Sequence, residues 1–330
     1  MPYFLYIILA AAVVFLSVKL AKYVDLLDKS TKISGAFIGG ILLAAVTSLP
    51  ELFTSVSATL FLHRNELVLG NILGSNLFNL AILGLSIVIF VRSIYSAGLQ
   101  KVHFLSIATM LLMYLFIALD MFLGAWPKIG WFSLSSPIVL ALYVAYLFLT
   151  PKKKDEAPEE SGEDAPLSLK QIVIRFVVSA VLLVGASIAI TYVSDWVARE
   201  LNLGMTFAGA LLLGVATSLP ETASTLSLCK RKNYDAAFGN ILGSCVFNCM
   251  ILVVADLLSF SASTTDVYFL DVSSELLLIL GGIVAALFSA LLGVFSLKAE
   301  HKTLKRVSSV SVGTLAVAAY IVFTALSVAL

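Results

Sequence analysis

The sequence predicts an all-α polytopic membrane protein, with ten transmembrane helices in two inverted five-helix repeats. Three observations predict this: an apolar composition, a lopsided distribution of basic side chains, and a duplicated motif. Of 330 residues, 60% are hydrophobic and only 12% charged, and mean hydropathy is +1.03. A soluble globular chain carries about twice that charged fraction. Apolar runs long enough to cross about 30 Å of hydrocarbon lie near residues 3–20, 33–62, 66–91, 102–123, 129–150, 170–194, 204–228, 235–258, 273–296 and 308–330. They are continuously apolar rather than alternating, which argues against a β-barrel. Residues 2–18 lack a basic leader and a clear cleavage site, so they read as the first span rather than a signal peptide.

The basic residues test this count. With alternate loops assigned to opposite sides, Lys19, Lys22, Lys29, Lys32, Arg92, Lys101, Lys152, Lys153, Lys154, Lys170 and Arg175 share one side. Lys230, Arg231, Lys232, Lys298, Lys302, Lys305 and Arg306 join them, which leaves only Arg64, Lys128 and Arg199 opposite: 18 against 3. Basic loops stay in the cytoplasm, so both termini are expected outside the cytoplasm, in the cell (plasma or inner) membrane. The net charge of +1 gives no reason to expect a nucleic-acid partner.

The expected organisation is a first five-helix repeat over 1–150, a charged cytoplasmic linker over 151–168 and a second, inverted repeat over 169–330. The linker runs from three lysines into Asp155, Glu156, Glu159, Glu160, Glu163 and Asp164, and reads as a flexible solvated segment. It lacks the ligand spacing of an EF-hand. Cys245 and Cys249, one helical turn apart, read as small packing residues, as does Cys229.

Residues 41–51 read ILLAAVTSLPE and residues 211–221 read LLLGVATSLPE. Residues 70–79 read GNILGSNLFN and residues 239–248 read GNILGSCVFN. The offsets are 170 and 169 residues. Glu66 and Asp235 precede the second motif at matching positions, where a carboxylate favours a helix start. Five spans per half is an odd number, so the copies run oppositely through the bilayer. This is the inverted arrangement of secondary transporters, whose substrate sits near the midplane.

The repeated residues point to cation binding. A charged residue near the bilayer centre costs about 2.5–3.5 kcal/mol on insertion scales. Glu51 and Glu221 therefore need cations, protons or polar partners. Pro50 and Pro220 remove the N–H that would serve the carbonyls of Val46 and Ala216. A broken helix is expected at each, with Thr47, Ser48 and Glu51, or Thr217, Ser218 and Glu221, on neighbouring faces. Asn71, Ser75 and Asn79 recur every four residues, as do Asn240, Ser244 and Asn248, and form polar stripes. Interhelical hydrogen bonding is the expected role of Asn71 and Asn240. Gly70 with Gly74, and Gly239 with Gly243, are spaced for close helix approach. His63, His103 and His301 fall at loops or span ends. An all-oxygen site of this kind suits hard cations such as Na⁺ and Ca²⁺ rather than zinc or copper.

At these residues the chain resembles the cation/calcium exchanger superfamily, specifically its sodium/calcium exchanger branch. That branch carries Gly-Thr-Ser-Leu-Pro-Glu followed by acidic-x-x-x-Gly-Asn-x-x-Gly-Ser in each of two repeats. The resemblance implies Ca²⁺ bound by Glu51 and Glu221, with Na⁺ sites shared among Thr47, Ser48, Ser75, Asn79, Thr217, Ser218, Ser244 and Asn248. It also implies that carbonyls near Ala44 and Gly214 join the Na⁺ sites, and that the first and sixth spans slide as a gate. No cofactor is implied beyond the transported Ca²⁺ and Na⁺, and no enzymatic activity. The chain departs from the pattern at Val46 and Ala216, where glycine usually precedes Thr-Ser. Asn248, an aspartate in some relatives, argues against K⁺ dependence, and Ser75 and Ser244 favour Na⁺ over H⁺ coupling. The alternative is an H⁺/Ca²⁺ (or other divalent cation) antiporter using the same glutamates. An ion channel and an intramembrane hydrolase fit the broken-helix repeat less well.

Overall fold

The computed structural model describes residues 2–62, 65–97, 102–123, 128–129, 132–152, 167–200, 214–262, 279–287 and 302–329. Among the described residues the regular structure is helical, apart from a two-residue antiparallel pairing of β1 (Lys128–Ile129) with β2 (Phe132–Ser133). Most of the linker expected over 151–168, and parts of the spans expected at 204–228 and 273–296, lie outside the described residues.

Among the described residues, six helices are long and apolar enough to cross a membrane: Tyr3–Ser30, Gly35–Phe61, Val68–Val91, Val102–Asp120, Leu169–Ile190 and Tyr234–Ser259. Ser135–Leu149 and Val310–Ala325 are shorter apolar helices. The outer surface is apolar where a soluble protein would be polar. Phe4, Ile7 and Phe15 of α1 (Pro2–Ser30) are exposed, as are Val177, Val178 and Val181 of α8 (Leu169–Glu200). Contiguous apolar surface of this kind is matched to lipid tails, not to water.

The span after α1 is broken, as the prolines predict. It comprises α2 (Gly35–Phe37), a π-helical stretch Ile38–Leu43, α3 (Ala44–Thr47), α4 (Leu49–Ser57) and a second π-helical stretch Ala58–Leu62. The break falls at Ser48 (φ −91°, ψ 4°), and Pro50 sits in the first turn of the helix that restarts. There a missing N–H costs nothing, because the first four are unbonded anyway. The same construction recurs at Ser218 (φ −87°, ψ 3°), between α9 (Gly214–Thr217) and α10 (Leu219–Lys230).

The remaining helices complete the fold. They are α5 (Asn65–Ala97), α6 (Val102–Leu123), α7 (Ser135–Leu149), α11 (Tyr234–Ala262), residues 279–287 and α12 (Lys302–Ala329). Of these, α5 and α11 pack directly on the two breaks. Helix α11 lies at the centre and packs against the first broken span, α5, α6, α7 and α10. A Cβ added to Gly243 would stand 2.0 Å from the Gly40 carbonyl oxygen, and one on Gly39 would stand 2.2 Å from that of Ala236. The Gly239/Gly243 pair thus packs backbone on backbone, as its spacing predicts. Helices α5 and α12 touch the same way at Gly84 and Gly313.

Helices α1 and α8 pack along each other and flank this core; α1 also contacts α10, and α8 contacts α4. At its C-terminal end α1 is tied to the turn after α10: the Asn233 amide donates to Asp28 (2.9 Å) and Asp25 (3.4 Å). Lys29 pairs with Asp25 at 3.1 Å. Lys232 closes that turn at φ 63°, a conformation more usual for glycine.

Candidate functional site

The two breaks bring both halves of the duplicated motif into one cluster, and its contacts come in pairs. Ser48 Oγ donates to Glu221 Oε1 at 2.9 Å, and Ser218 Oγ donates to Glu51 Oε1 at 3.3 Å. Thr47 Oγ1 is 3.5 Å from Ser244 Oγ, and Thr217 Oγ1 is 3.4 Å from Ser75 Oγ. Thr47 lies 3.4 Å from Asn240 Oδ1, and Thr217 lies 3.4 Å from Asn71 Oδ1. Ser244 reaches the Ala44 carbonyl at 3.5 Å, and Ser75 reaches that of Gly214 at 3.2 Å. Each of these four contacts in the first half has its counterpart one repeat away.

Eleven of the twelve candidate residues are fully buried side chains or glycine backbone, and Ala44 is 1% exposed. Glu51 and Glu221 lie in the first turns of α4 and α10, where the N-terminal helix dipole favours negative charge. Their Oε2 atoms have no hydrogen-bond partner. Among the described residues, no ion pair links either glutamate to a lysine, arginine or histidine. Hydroxyl donors alone do not neutralise two buried carboxylates, and a cation or protons complete the balance.

Not all the candidates meet. Ten of them form the cluster: Ala44, Thr47, Ser48, Glu51, Ser75, Gly214, Thr217, Ser218, Glu221 and Ser244. Asn79 makes no hydrogen bond through either amide atom. Asn248 bonds only to Asn76, at 2.9 Å, and its own Oδ1 is unpaired. Asn240 has the interhelical role expected of it. Its Nδ2 donates to Ser224 and Thr225, both at 2.9 Å, and approaches the Glu221 carbonyl at 3.3 Å, tying α11 to α10. Asn71 has no matching bond, since its Nδ2 and the Ser55 Oγ are both without partners. The carbonyls of Ala44 and Gly214 also accept from the backbone of Ser48 and Ser218.

Several buried polar residues outside the cluster have no signal in the sequence that singles them out. Ser55 and Thr59 follow Glu51 at four-residue intervals on the first broken span. A repeat search passes over them because their counterparts are Thr225 and Cys229. His103 lies at a span end, as expected, and there it is buried and sits 3.0 Å from Asp235. Buried Asp120 and Asp256 converge on the turn at Ser133, accepting hydrogen bonds from Ser133 and Ser136.

A helical membrane fold wrapped around paired intramembrane carboxylates is that of an ion transporter. The chain belongs to the sodium/calcium exchanger protein family, whose model matches residues 1–150 and 171–329, and so to the cation/calcium exchanger superfamily. It is 30% identical over 214 residues to an uncharacterized membrane protein of Methanocaldococcus jannaschii, spanning 64% of this chain and 67% of that one. It is 27% identical to the inner membrane protein YrbG of Escherichia coli, over 73% of this chain and 74% of that protein. Its fold matches the sodium-calcium exchanger NCX_Mj with a TM-score of 0.67 at 22% identity, covering 98% of this chain and 99% of the other. It matches the H⁺/Ca²⁺ exchanger CAX nearly as well, with a TM-score of 0.66 at 16% identity over 99% and 90%.

Proposed function

We propose that this chain is a secondary active antiporter that exchanges Na⁺ for Ca²⁺ by alternating access at one oxygen-lined site. The observation that carries this reading is the reciprocal hydrogen bonding of Glu51 and Glu221, each held by the serine of the opposite motif. Two carboxylates present −2, which one Ca²⁺ neutralises and two or three Na⁺ neutralise comparably. Competition for the same oxygens couples the ions: a filled site is compensated and can cross, whereas an empty one is a buried double charge. Ca²⁺ is held by Glu51 and Glu221. Na⁺ shares Thr47, Ser48, Ser75, Asn79, Thr217, Ser218, Ser244 and Asn248, with the carbonyls of Ala44 and Gly214 as additional oxygens.

In this reading ten spans form two inverted halves, 1–150 and 169–330, joined by a cytoplasmic linker, with both termini extracytoplasmic. Helices α1 and α8 are the moving pair, consistent with their packing on each other outside the core.

The counter-ion is the point at which a second reading stands, because NCX_Mj and CAX are matched almost equally. Ser75 and Ser244, hydroxyls rather than acids, favour Na⁺. The test is ⁴⁵Ca²⁺ uptake into proteoliposomes, driven by a Na⁺ gradient at equal pH or by a pH gradient without Na⁺. Na⁺-driven uptake supports the proposal. Uptake driven by the pH gradient alone assigns the chain to H⁺/Ca²⁺ exchange.

A further inference from the structure

Two asparagines, Asn79 and Asn248, occupy the same place in the two copies of the second motif, yet their surroundings differ. Asn76 precedes Asn79 by three residues, and the matching position before Asn248 is Cys245. Asn76 therefore has no equivalent in the other half. It is fully buried on α5, and it reaches across to α11 rather than to Asn79.

Its amide orientation follows from its neighbours. Asn76 Nδ2 approaches the backbone carbonyl of Cys245 at 3.3 Å and donates to the hydroxyl of buried Tyr114. A carbonyl oxygen only accepts, so turning the amide over would set two acceptors against each other. With Nδ2 fixed there, Oδ1 faces Asn248, whose Nδ2 donates to it at 2.9 Å. The Asn248 amide is then fixed in turn: its nitrogen is committed, and its Oδ1 is left buried and without a partner. Asn248 itself stands four residues, one helical turn, beyond Ser244, whose Oγ is 3.3 Å from Glu221 Oε1.

We propose that Asn76 is a positioning residue that holds the Asn248 amide with its carbonyl oxygen presented to the transported cation, to Ca²⁺ as well as to the Na⁺ that takes its place. The assignment rests on the ion-site reading above. A cation takes oxygen and rejects an N–H, so a freely turning amide is a ligand for only part of the time. The clamp running from the Cys245 carbonyl through Asn76 makes Asn248 a standing oxygen ligand before the ion arrives. Asn79 has no such clamp, and both of its amide atoms are unbonded. The two halves thus offer one fixed and one adjustable amide.

The test is a double-mutant cycle read as the half-saturating Ca²⁺ concentration for ⁴⁵Ca²⁺ uptake into proteoliposomes loaded with unlabelled Ca²⁺. This self-exchange does not depend on the counter-ion. Asn76→Ala is expected to raise half-saturation by about threefold to tenfold, the equivalent of one oriented hydrogen-bonding group, with the maximal rate changed less. In an Asn248→Ala background the same substitution is expected to add nothing. Tyr114→Phe removes one anchor of Asn76 while keeping the ring, and is expected to act in the same direction, more weakly, and also only when Asn248 is present. If Asn76→Ala fails to fold, the Tyr114→Phe cycle decides by the same criterion. An effect of equal size with and without Asn248, or no effect on half-saturation, overturns the proposal. Retained Ca²⁺ self-exchange in Glu51→Gln and Glu221→Gln would instead overturn the ion-site reading itself.

Discussion

Ser48 and Ser218 make the same hydrogen bond to opposite glutamates, so removing either hydroxyl tests the same interaction from two sides. A hydrogen bond to a charged group contributes about 1.5–3 kcal/mol. Ser48→Ala and Ser218→Ala are each expected to raise the half-saturating Ca²⁺ concentration by about tenfold or more, and by similar factors. Ca²⁺-dependent self-exchange measures both; a loss confined to one serine would mean that the two halves do not share the site equally. These residues were legible in the sequence because they are duplicated, and an acid beside a proline in an apolar run has few structural uses. Asn76 was not legible. Its role depends on a carbonyl of another helix and on Tyr114, 38 residues away, and neither leaves a pattern along the chain. His103 stands at a span end as expected, and its burial against Asp235, 132 residues away, leaves no pattern along the chain either.

The broken helices depend on how closely α11 approaches the first broken span. Gly243→Ala would place a methyl 2.0 Å from the Gly40 carbonyl oxygen, against backbone that cannot rotate away. Overpacking of this kind costs about 1–3 kcal/mol or more. Its thermal midpoint in detergent is expected to fall clearly below that of the unmodified chain. Gly185→Ala is the control. Its added methyl meets nothing within 4 Å on α8, and alanine is the better helix former by about 1 kcal/mol. That midpoint is expected to hold or rise, and an equal fall in both variants would show that the crossing is not the cause. The prolines announced the breaks at Ser48 and Ser218, and the paired glycines announced the crossing. The π-helical stretches Ile38–Leu43 and Ala58–Leu62 were not announced. The first coincides with Gly39 and Gly40 at the crossing, so it belongs to tertiary packing rather than to local propensity. Asn240 ties α11 to α10, while Asn71 and Ser55 leave the matching contact unmade. The two halves therefore stand in different local states, as the proposed alternating-access cycle would require of them in turn.

For the whole molecule, the distribution of basic residues predicts how the fold sits in the bilayer. Alkaline phosphatase joined after the C-terminus is expected to be active, and the same enzyme inserted in the 151–168 linker inactive. The reverse pattern would invert the topology. Composition and hydropathy made the membrane class legible at once, because the bilayer forces a continuous apolar pattern on every span. The counter-ion is less legible, since Na⁺ and H⁺ are both served by buried carboxylates, and the same scaffold is shared with NCX_Mj and CAX. The central claim is that Glu51 and Glu221 form one Ca²⁺ site from two halves of the chain. The most direct measurement is ⁴⁵Ca²⁺ exchange in proteoliposomes by folded Glu51→Gln and Glu221→Gln. Each single variant is expected to lose exchange almost completely, and wild-type exchange in either one would contradict the account.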